Sequence, residues 1–310
     1  MHIAIAGGSG FVGGAIAAEL ARRGEEVVVL SHRPGAARRH LPDAVEVREA
    51  DATRTESLAA ALVGADVLVI AIAHPNYPME NPRRGWTFEA VEAAGTERLV
   101  AAATASGVRR FFYVSGAGAA PDAPRHWFRA KWRAEEAVRG SGITFTILRP
   151  TWIYGPGDVS LNRFLGFARW LPFVPMTGDG KQLLAPVFID DVAKLAADAL
   201  RDRAADDQVF ELGGPEVLSM NDVLHTALRI GGRRRPILHA PARLMKLVVW
   251  PLQFLPRAPL TPDAVDFVNQ PAVVDTAPLL ARMPRRLTPL EEGLATYLGR
   301  AGDRRQPTRS

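Results

Sequence analysis

The chain has 310 residues, enough for one large α/β domain with a smaller lobe, and its apolar fraction of 47% is ordinary for a globular protein. It has no cysteine, which excludes disulfides, thiolate metal sites and cysteine nucleophiles, and sets the expectation of a reducing, cytoplasmic setting. The formal net charge is +5, carried mostly by arginine and dispersed along the chain; the pattern excludes the basic stripe of a nucleic-acid binder and favours phosphate-bearing ligands.

Residues His2 to Ala6 form a short apolar run that reads as a strand. Its start at residue 2 sets the expectation that no targeting segment precedes it. The run breaks at Gly7-Gly8-Ser9-Gly10, and a helical pattern follows, assigned to 13–23. Glycines in a strand-to-helix turn let the backbone turn sharply and let a pyrophosphate approach bare N–H groups. The spacing Gly8-x-Gly10-x-x-Gly13 satisfies the dinucleotide fingerprint in the strand–turn–helix setting that gives it meaning. Gly7, Ser9, Gly10, Phe11, Val12 and Gly13 are therefore expected around the diphosphate.

Further strand-like runs are Val27 to Leu30, Val45 to Val47, Asp66 to Ala73, Phe111 to Ser115, Thr144 to Leu148 and Val209 to Leu212. Helical patterns over 55–62, 87–106, 128–139 and 190–200 separate them. This alternation predicts right-handed βαβ units, and hence an α/β, Rossmann-type, doubly wound parallel sheet. The dinucleotide-binding domain is predicted to be 1–150, with 187–212 returning to it. Residues 151–186 and 213–298, rich in Gly and Pro, are predicted to form a smaller C-terminal substrate lobe, and 299–310 a disordered tail. Within that lobe 244–255 is apolar, interrupted by Lys246 and Pro251, and too short to span a membrane. It is expected to be a lid, with a peripheral membrane or protein-complex contact as the alternative.

Taken in order, several motifs resemble the extended and atypical short-chain dehydrogenase/reductase superfamily. They are GGSGFVG at 7–13, Asp51-Ala52, FFYVSG at 111–116, RAKWRAEEAV at 129–138, ILRPTWIYGPGD at 147–158, PVFIDDVAKLAADAL at 186–200 and FELGGPEVLSMNDV at 210–223. The likeness is greatest to the branch that includes the NAD(P)-binding accessory subunit of respiratory complex I. It implies a strand order of 3-2-1-4-5-6-7. It also implies that Asp51 contacts the adenine amino group and that Ile72-Ala73 lies along the cofactor. Lys131 is implied to hold the nicotinamide ribose hydroxyls, and the loop from Pro150 to flank the nicotinamide.

The pattern departs from the family at the serine, where Gly116, Ala117 and Gly118 follow Ser115 in place of a second hydroxyl, and more sharply at the tyrosine. Active reductases of the superfamily place a tyrosine four residues before the helix lysine, and here that residue is Trp127. An indole N–H cannot serve as a general acid at neutral pH. The candidate catalytic set is therefore Lys131, Ser115 and, as a substitute phenol in the loop after Pro150, Tyr154; His126, His74 and Tyr113 are weaker candidates. A bland alternative for Lys131 is an ion pair with Glu135, one helical turn on.

At the end of the second strand, Ser31-His32-Arg33 offers no carboxylate for a ribose 2′-hydroxyl, whereas His32 and Arg33, with Arg38 and Arg39 nearby, suit a 2′-phosphate. NADP(H) is the expected cofactor, with NAD(H) as the alternative. The expected activity is an NAD(P)-dependent oxidoreductase with an incomplete Tyr-x-x-x-Lys site, acting on an unidentified small molecule. The competing reading is a non-catalytic NADP(H) sensor or assembly subunit; a nucleotide-sugar epimerase or dehydratase is the weakest.

Overall fold

The computed structural model describes residues 1–251 and 261–299; residues 252–255 of the apolar segment and the expected tail from residue 300 lie outside them. The chain divides into two units. The larger comprises Met1–Pro150, Asp190–Leu212 and Asp275–Arg285; the smaller comprises Thr151–Ile189, Gly213–Val274 and the chain from Arg286. Two boundaries differ from expectation. Residues 187–189 stay with the smaller unit, where Val187–Phe188 pairs with Ile153–Tyr154. Residues 275–285 join the larger unit, where Arg285 donates to Asp198 at 2.5 Å and Arg282 to the Ala204 carbonyl at 3.1 Å.

The larger unit is built on seven parallel strands: β1 (His2–Ala6), β2 (Glu26–Ser31), β3 (Glu46–Glu49), β4 (Val67–Ile70), β5 (Arg110–Val114), β6 (Thr144–Pro150) and β7 (Gln208–Leu212). Their spatial order is β3-β2-β1-β4-β5-β6-β7, the order implied by the family resemblance. Its helices include α1 (Phe11–Arg22), α2 (Ala94–Ala105), α3 (His126–Arg139) and α4 (Ile189–Ala199). The strands read as apolar runs because both faces of the sheet are covered. Ala4, Ala6, Leu68, Ile70, Phe111, Tyr113 and Ile147 share one core with Leu99 and Val100 of α2 and Ala134 and Val138 of α3. The alternate residues Ile3, Ile5, Val29, Val67 and Val69 are buried too, on the opposite face. An ion pair of 2.6 Å between Arg23 and Asp198 links the end of α1 to α4.

The segment 87–106, expected as one helix, opens as a π-helix over Phe88–Ala93 before continuing as α2. Thr87 caps it, its hydroxyl accepting from the Ala90 N–H at 3.0 Å. The wider turn changes which side chains face α3.

The smaller unit contains short pairings: Val174–Thr177 with Ile237–Ala240, and Leu183–Leu184 with Leu218–Ser219. Its helix Val159–Trp170 is capped by Asp158, which accepts from the Ser160 and Leu161 N–H groups at 2.9 and 2.7 Å. Helix Ala242–Val249 buries Val249 but leaves Leu244, Leu247 and Val248 exposed, with Trp250 exposed beyond it. No helix among the described residues is long and apolar enough to cross a membrane.

Burial pushes the Asp158 carboxyl up to about 6 despite its two backbone donors. A carboxyl raised in the fold favours the protonated form, so its stabilising contribution is full below its unfolded value of 3.8 and lost as the pH rises through about 6. Asp158→Asn keeps a capping oxygen and cannot ionise. In urea melts, the stability of wild type relative to this variant should fall by about 2–3 kcal/mol between pH 4 and pH 7; a constant difference would mean Asp158 titrates normally.

A candidate dinucleotide site

The turn between β1 and α1 is a close approach of backbones. Gly7 has φ +83°, and a Cβ there would lie 2.4 Å from the Ala71 carbonyl oxygen, in the chain leaving β4. At Gly13 a Cβ would lie 2.4 Å from the Gly7 carbonyl oxygen, so only glycine lets α1 seat on the turn. Gly10 differs: a Cβ there would meet only the Gly7 oxygen, at 3.2 Å, and both Ser9 and Gly10 are exposed. This is the open side of the turn. Helix α1 has no side-chain cap and no acidic residue in its first turn. Its first N–H groups, at Phe11, Val12 and Gly13, therefore lack intrahelical acceptors and face outward with the positive end of the helix dipole. A helix start of this kind is suited to an anion such as a diphosphate.

On the β2–β3 side of the turn, His32 and Arg33 are exposed at the end of β2. The Arg33 backbone N–H donates to Ser31 Oγ at 3.1 Å, and Ser31 Oγ donates to Ser9 Oγ at 3.3 Å. The Arg33 guanidinium makes no hydrogen bond or ion pair with another described residue. Beyond β3, Asp51 Oδ1 accepts from the Thr53 N–H at 2.8 Å and the Thr53 hydroxyl at 2.7 Å. Burial works against the ionised Asp51, but the Thr53 donors, with His32 and Arg54, outweigh it and hold the carboxyl below the ordinary aspartate value. Ala52 and Ile72 meet at Gly95 of α2, whose Cβ would lie 3.3 Å from Ile72 Cδ1 and 3.5 Å from Ala52 Cβ. Ala73, next along, is exposed.

On the β4–β5 side, Lys131 of α3 pairs with Glu92 of the π-helix at 2.8 Å, and its ammonium donates to the Val114 carbonyl at 3.3 Å. Glu92 is only 1% exposed. Burial opposes the charged lysine, but the Glu92 carboxylate outweighs it and holds its pKa above the ordinary lysine value. Burial raises the phenols of Tyr113 and Tyr77 above the usual tyrosine value. The alternative pairing of Lys131 with Glu135 does not form. Glu135, fully buried, instead accepts from Ser115 Oγ at 2.5 Å, Arg139 at 2.7 Å and both Arg149 Nε and Nη2 at 2.8 and 2.7 Å. The Ser115 hydroxyl is thus committed to a carboxylate.

Trp127 is buried among Phe88, His126 and Phe128, at ring-centroid distances of 6.1, 5.2 and 6.0 Å. It is a packed aromatic wall. His126 Nε2 lies 2.8 Å from Glu80, and His74 is buried with Nδ1 3.1 Å from the Pro75 carbonyl and its ring against Phe88. The Pro150 carbonyl accepts from the Ala117 N–H at 2.9 Å.

Tyr154 is the one predicted site residue that falls outside the larger unit. It lies in the smaller unit, fully buried, with its ring 5.4 Å from Phe188 and its hydroxyl donating to the Pro289 carbonyl at 3.3 Å. It packs the interior of the smaller unit. The remaining predicted residues all sit at or beyond the carboxyl ends of strands in the larger unit. Sequence reasoning missed Glu92, Tyr77 and the Arg149–Glu135 contact. Helical spacing carries no signal for Glu92, because a π turn, not an α turn, aims it.

A parallel sheet reversing its order between β1 and β4, with a glycine cradle at that point, defines a Rossmann-type dinucleotide-binding protein. Residues 7–165 match the family described as NAD(P)H-binding, and the chain belongs to it. It is 30% identical over 224 residues to NADH dehydrogenase [ubiquinone] 1 alpha subcomplex subunit 9 of Arabidopsis thaliana, a match covering 70% of this chain and 54% of that protein. It is 27% identical over 282 residues to the divinyl chlorophyllide a 8-vinyl-reductase of Zea mays, covering 86% of this chain and 68% of the relative. Among solved structures, an NADPH-dependent quinone oxidoreductase from Escherichia coli, complexed with NADPH, shares the fold with a TM-score of 0.73 at 20% identity, over 95% of this chain and 99% of that one.

Gly10→Val should leave the fold intact, since its Cβ meets only one oxygen, but should place a branched side chain where the diphosphate approaches. Circular dichroism should be unchanged and the NADPH fluorescence response abolished. A normal response from the folded variant would place the dinucleotide elsewhere.

Proposed function

We propose that this protein binds NADP(H) across the crevice at the β1–β4 reversal and does not turn over generic carbonyl substrates. The N-terminal turn of α1 takes the diphosphate. Arg33, with His32, takes the 2′-phosphate, and Asp51 takes the adenine. Ile72, Ala73, Lys131 and Pro150 line the nicotinamide side. When bound, NADPH supplies a hydride from its nicotinamide ring. The observation that carries the proposal is the occupancy of the acid–base position: Trp127 is packed as a wall, Ser115 is bound to Glu135, and Lys131 is neutralised by Glu92. No phenol stands where the reductases of the superfamily place one.

A second reading, an NADPH-dependent reductase of a conjugated double bond, is supported by the likeness to the vinyl-reductase, which covers most of the chain. A role as a sensor or accessory subunit is supported by the complex I relatives. The exposed apolar stripe Leu244, Leu247 and Val248 suits a contact with a protein complex or membrane surface.

Titration with NADPH and NADH tests the cofactor assignment. Removing a bidentate charged contact to phosphate costs about 1.5–3 kcal/mol. Arg33→Ala should therefore weaken NADPH binding roughly 10- to 150-fold and NADH binding little. Equal losses would remove Arg33 from the 2′-phosphate site.

A screen of aldehydes, ketones and quinones with NADPH tests the catalytic half. Aldehydes and ketones should show no turnover above background. Robust ketone reduction by the wild type would overturn the proposal.

A further inference from the structure

We propose that Glu92 sets the redox preference of the dinucleotide site: its pairing with Lys131 makes the nicotinamide side of the crevice electrically neutral, so that the oxidised and reduced cofactors are held on nearly equal terms. The inference rests on the cofactor reading above. It concerns a residue of the π-helix that no motif of the chain singles out.

Position comes first. The Lys131 ammonium is bonded to the carbonyl of Val114, the last residue of β5, and β5 lies beside β4, which lies beside β1. The Glu92–Lys131 pair is therefore on the opposite side of the diphosphate cradle from Arg33 and Asp51. A dinucleotide whose adenosine half lies toward β2 and β3 must place its other half toward β4 and β5.

Charge comes second. Among the described residues, Glu92 has Lys131 as its ion-pair partner and accepts no hydrogen bond from any other group. The groups facing the pair are the phenols of Tyr113 and Tyr77 and the Val114 carbonyl, and none carries a charge. Burial keeps both phenols protonated at neutral pH. The pair thus sums to zero. An unpaired lysine in the same place presents a positive charge wherever the pH is low enough to keep it protonated against burial.

Chemistry comes third. The oxidised nicotinamide ring is cationic and the reduced ring is neutral, while the phosphates and the adenosine half are the same in both. The ratio of the two dissociation constants therefore cancels every contact except those that sense the ring's charge. A net positive site penalises the oxidised form, and a neutral one does not. A unit charge roughly 10 Å away in a protein interior changes such a ratio on the order of tenfold.

The experiment is a set of binding titrations of the full chain, NADPH by fluorescence and NADP+ by calorimetry, with circular dichroism as the check on folding; variants that keep Lys131 are measured at pH 6.5 and Lys131→Met at pH 8.5, each against wild type at the same pH, so that the unpaired group is favoured in its charged form. Glu92→Gln should raise the ratio of the NADP+ to the NADPH dissociation constant on the order of tenfold. The double variant Glu92→Gln/Lys131→Met is neutral again and should return to the wild-type ratio, even if it binds both forms more weakly. Should Glu92→Gln fail to fold because its lysine is left buried and alone, Lys131→Met carries the opposite sign: a lone carboxylate attracts the cationic ring and should lower the ratio. Ratios that stay at the wild-type value, or that move in the same direction in both single variants, overturn the inference. A wild-type protein that binds neither cofactor overturns the dinucleotide reading itself, and so the two failures are distinct.

Discussion

The contact between the β1–α1 turn and the chain leaving β4 is the constraint on which the rest of this protein depends. Gly7 lies against the Ala71 carbonyl and Gly13 against the Gly7 carbonyl, closer than any side chain permits. That approach brings β4 beside β1, so the sheet reverses its order there and a crevice opens at the carboxyl ends of the strands. It also points the unsatisfied N–H groups of α1 into the crevice. The residues on the two flanks, Arg33 and Asp51 on one and Lys131 on the other, take their places relative to this turn.

The β4–β5 flank is organised by two buried carboxylates that divide the cations between them. Glu135 collects Arg139, Arg149 and the Ser115 hydroxyl; Glu92 holds Lys131. Bringing a carboxylate out of water is costly, and removing the partner of a buried ion leaves a larger penalty than the pair itself. Each carboxylate is therefore tied to its cations. In a site of this kind the lysine ordinarily works with a phenol. Here its charge is met by Glu92, and the phenol's position is filled by a packed indole. Both contacts are made within the larger unit, between α3 and the elements packed on it.

The fold was legible because the signals that mark it are local. Strands covered on both faces become apolar runs, and amphipathic helices fall between them, so all seven strands of the main sheet appear in the sequence in order. Where reading and structure differ, the cause is tertiary. The run Asp66 to Ala73 is longer than β4 because the chain leaves the sheet after Ile70, where the Ala71 carbonyl meets Gly7 and Ile72 packs on Gly95. Residues 275–285 join the larger unit through Arg285 and Asp198, a contact between segments far apart in the chain. Tyr154 looked like a loop residue beside the cofactor because its motif, IYGPGD, follows a strand end; it is buried because Phe188 and the Pro289 carbonyl close around it.

By itself the sequence determined the class of fold, the glycine cradle, the absence of an acid at the end of β2 and the replacement of the reductase tyrosine by Trp127. Those features depend on residue identity and short spacing, which backbone sterics and helix geometry translate directly into structure. The tertiary structure alone decided which carboxylate meets which cation. Glu135 sits one turn from Lys131 on the same helix and is the partner that helical spacing suggests. Hydrogen bonds from Arg149 and Ser115 draw Glu135 away, and the π-helix turns Glu92 toward the lysine. Ion-pair choice in a desolvated interior is set by packing between elements, and no local pattern in the chain encodes it.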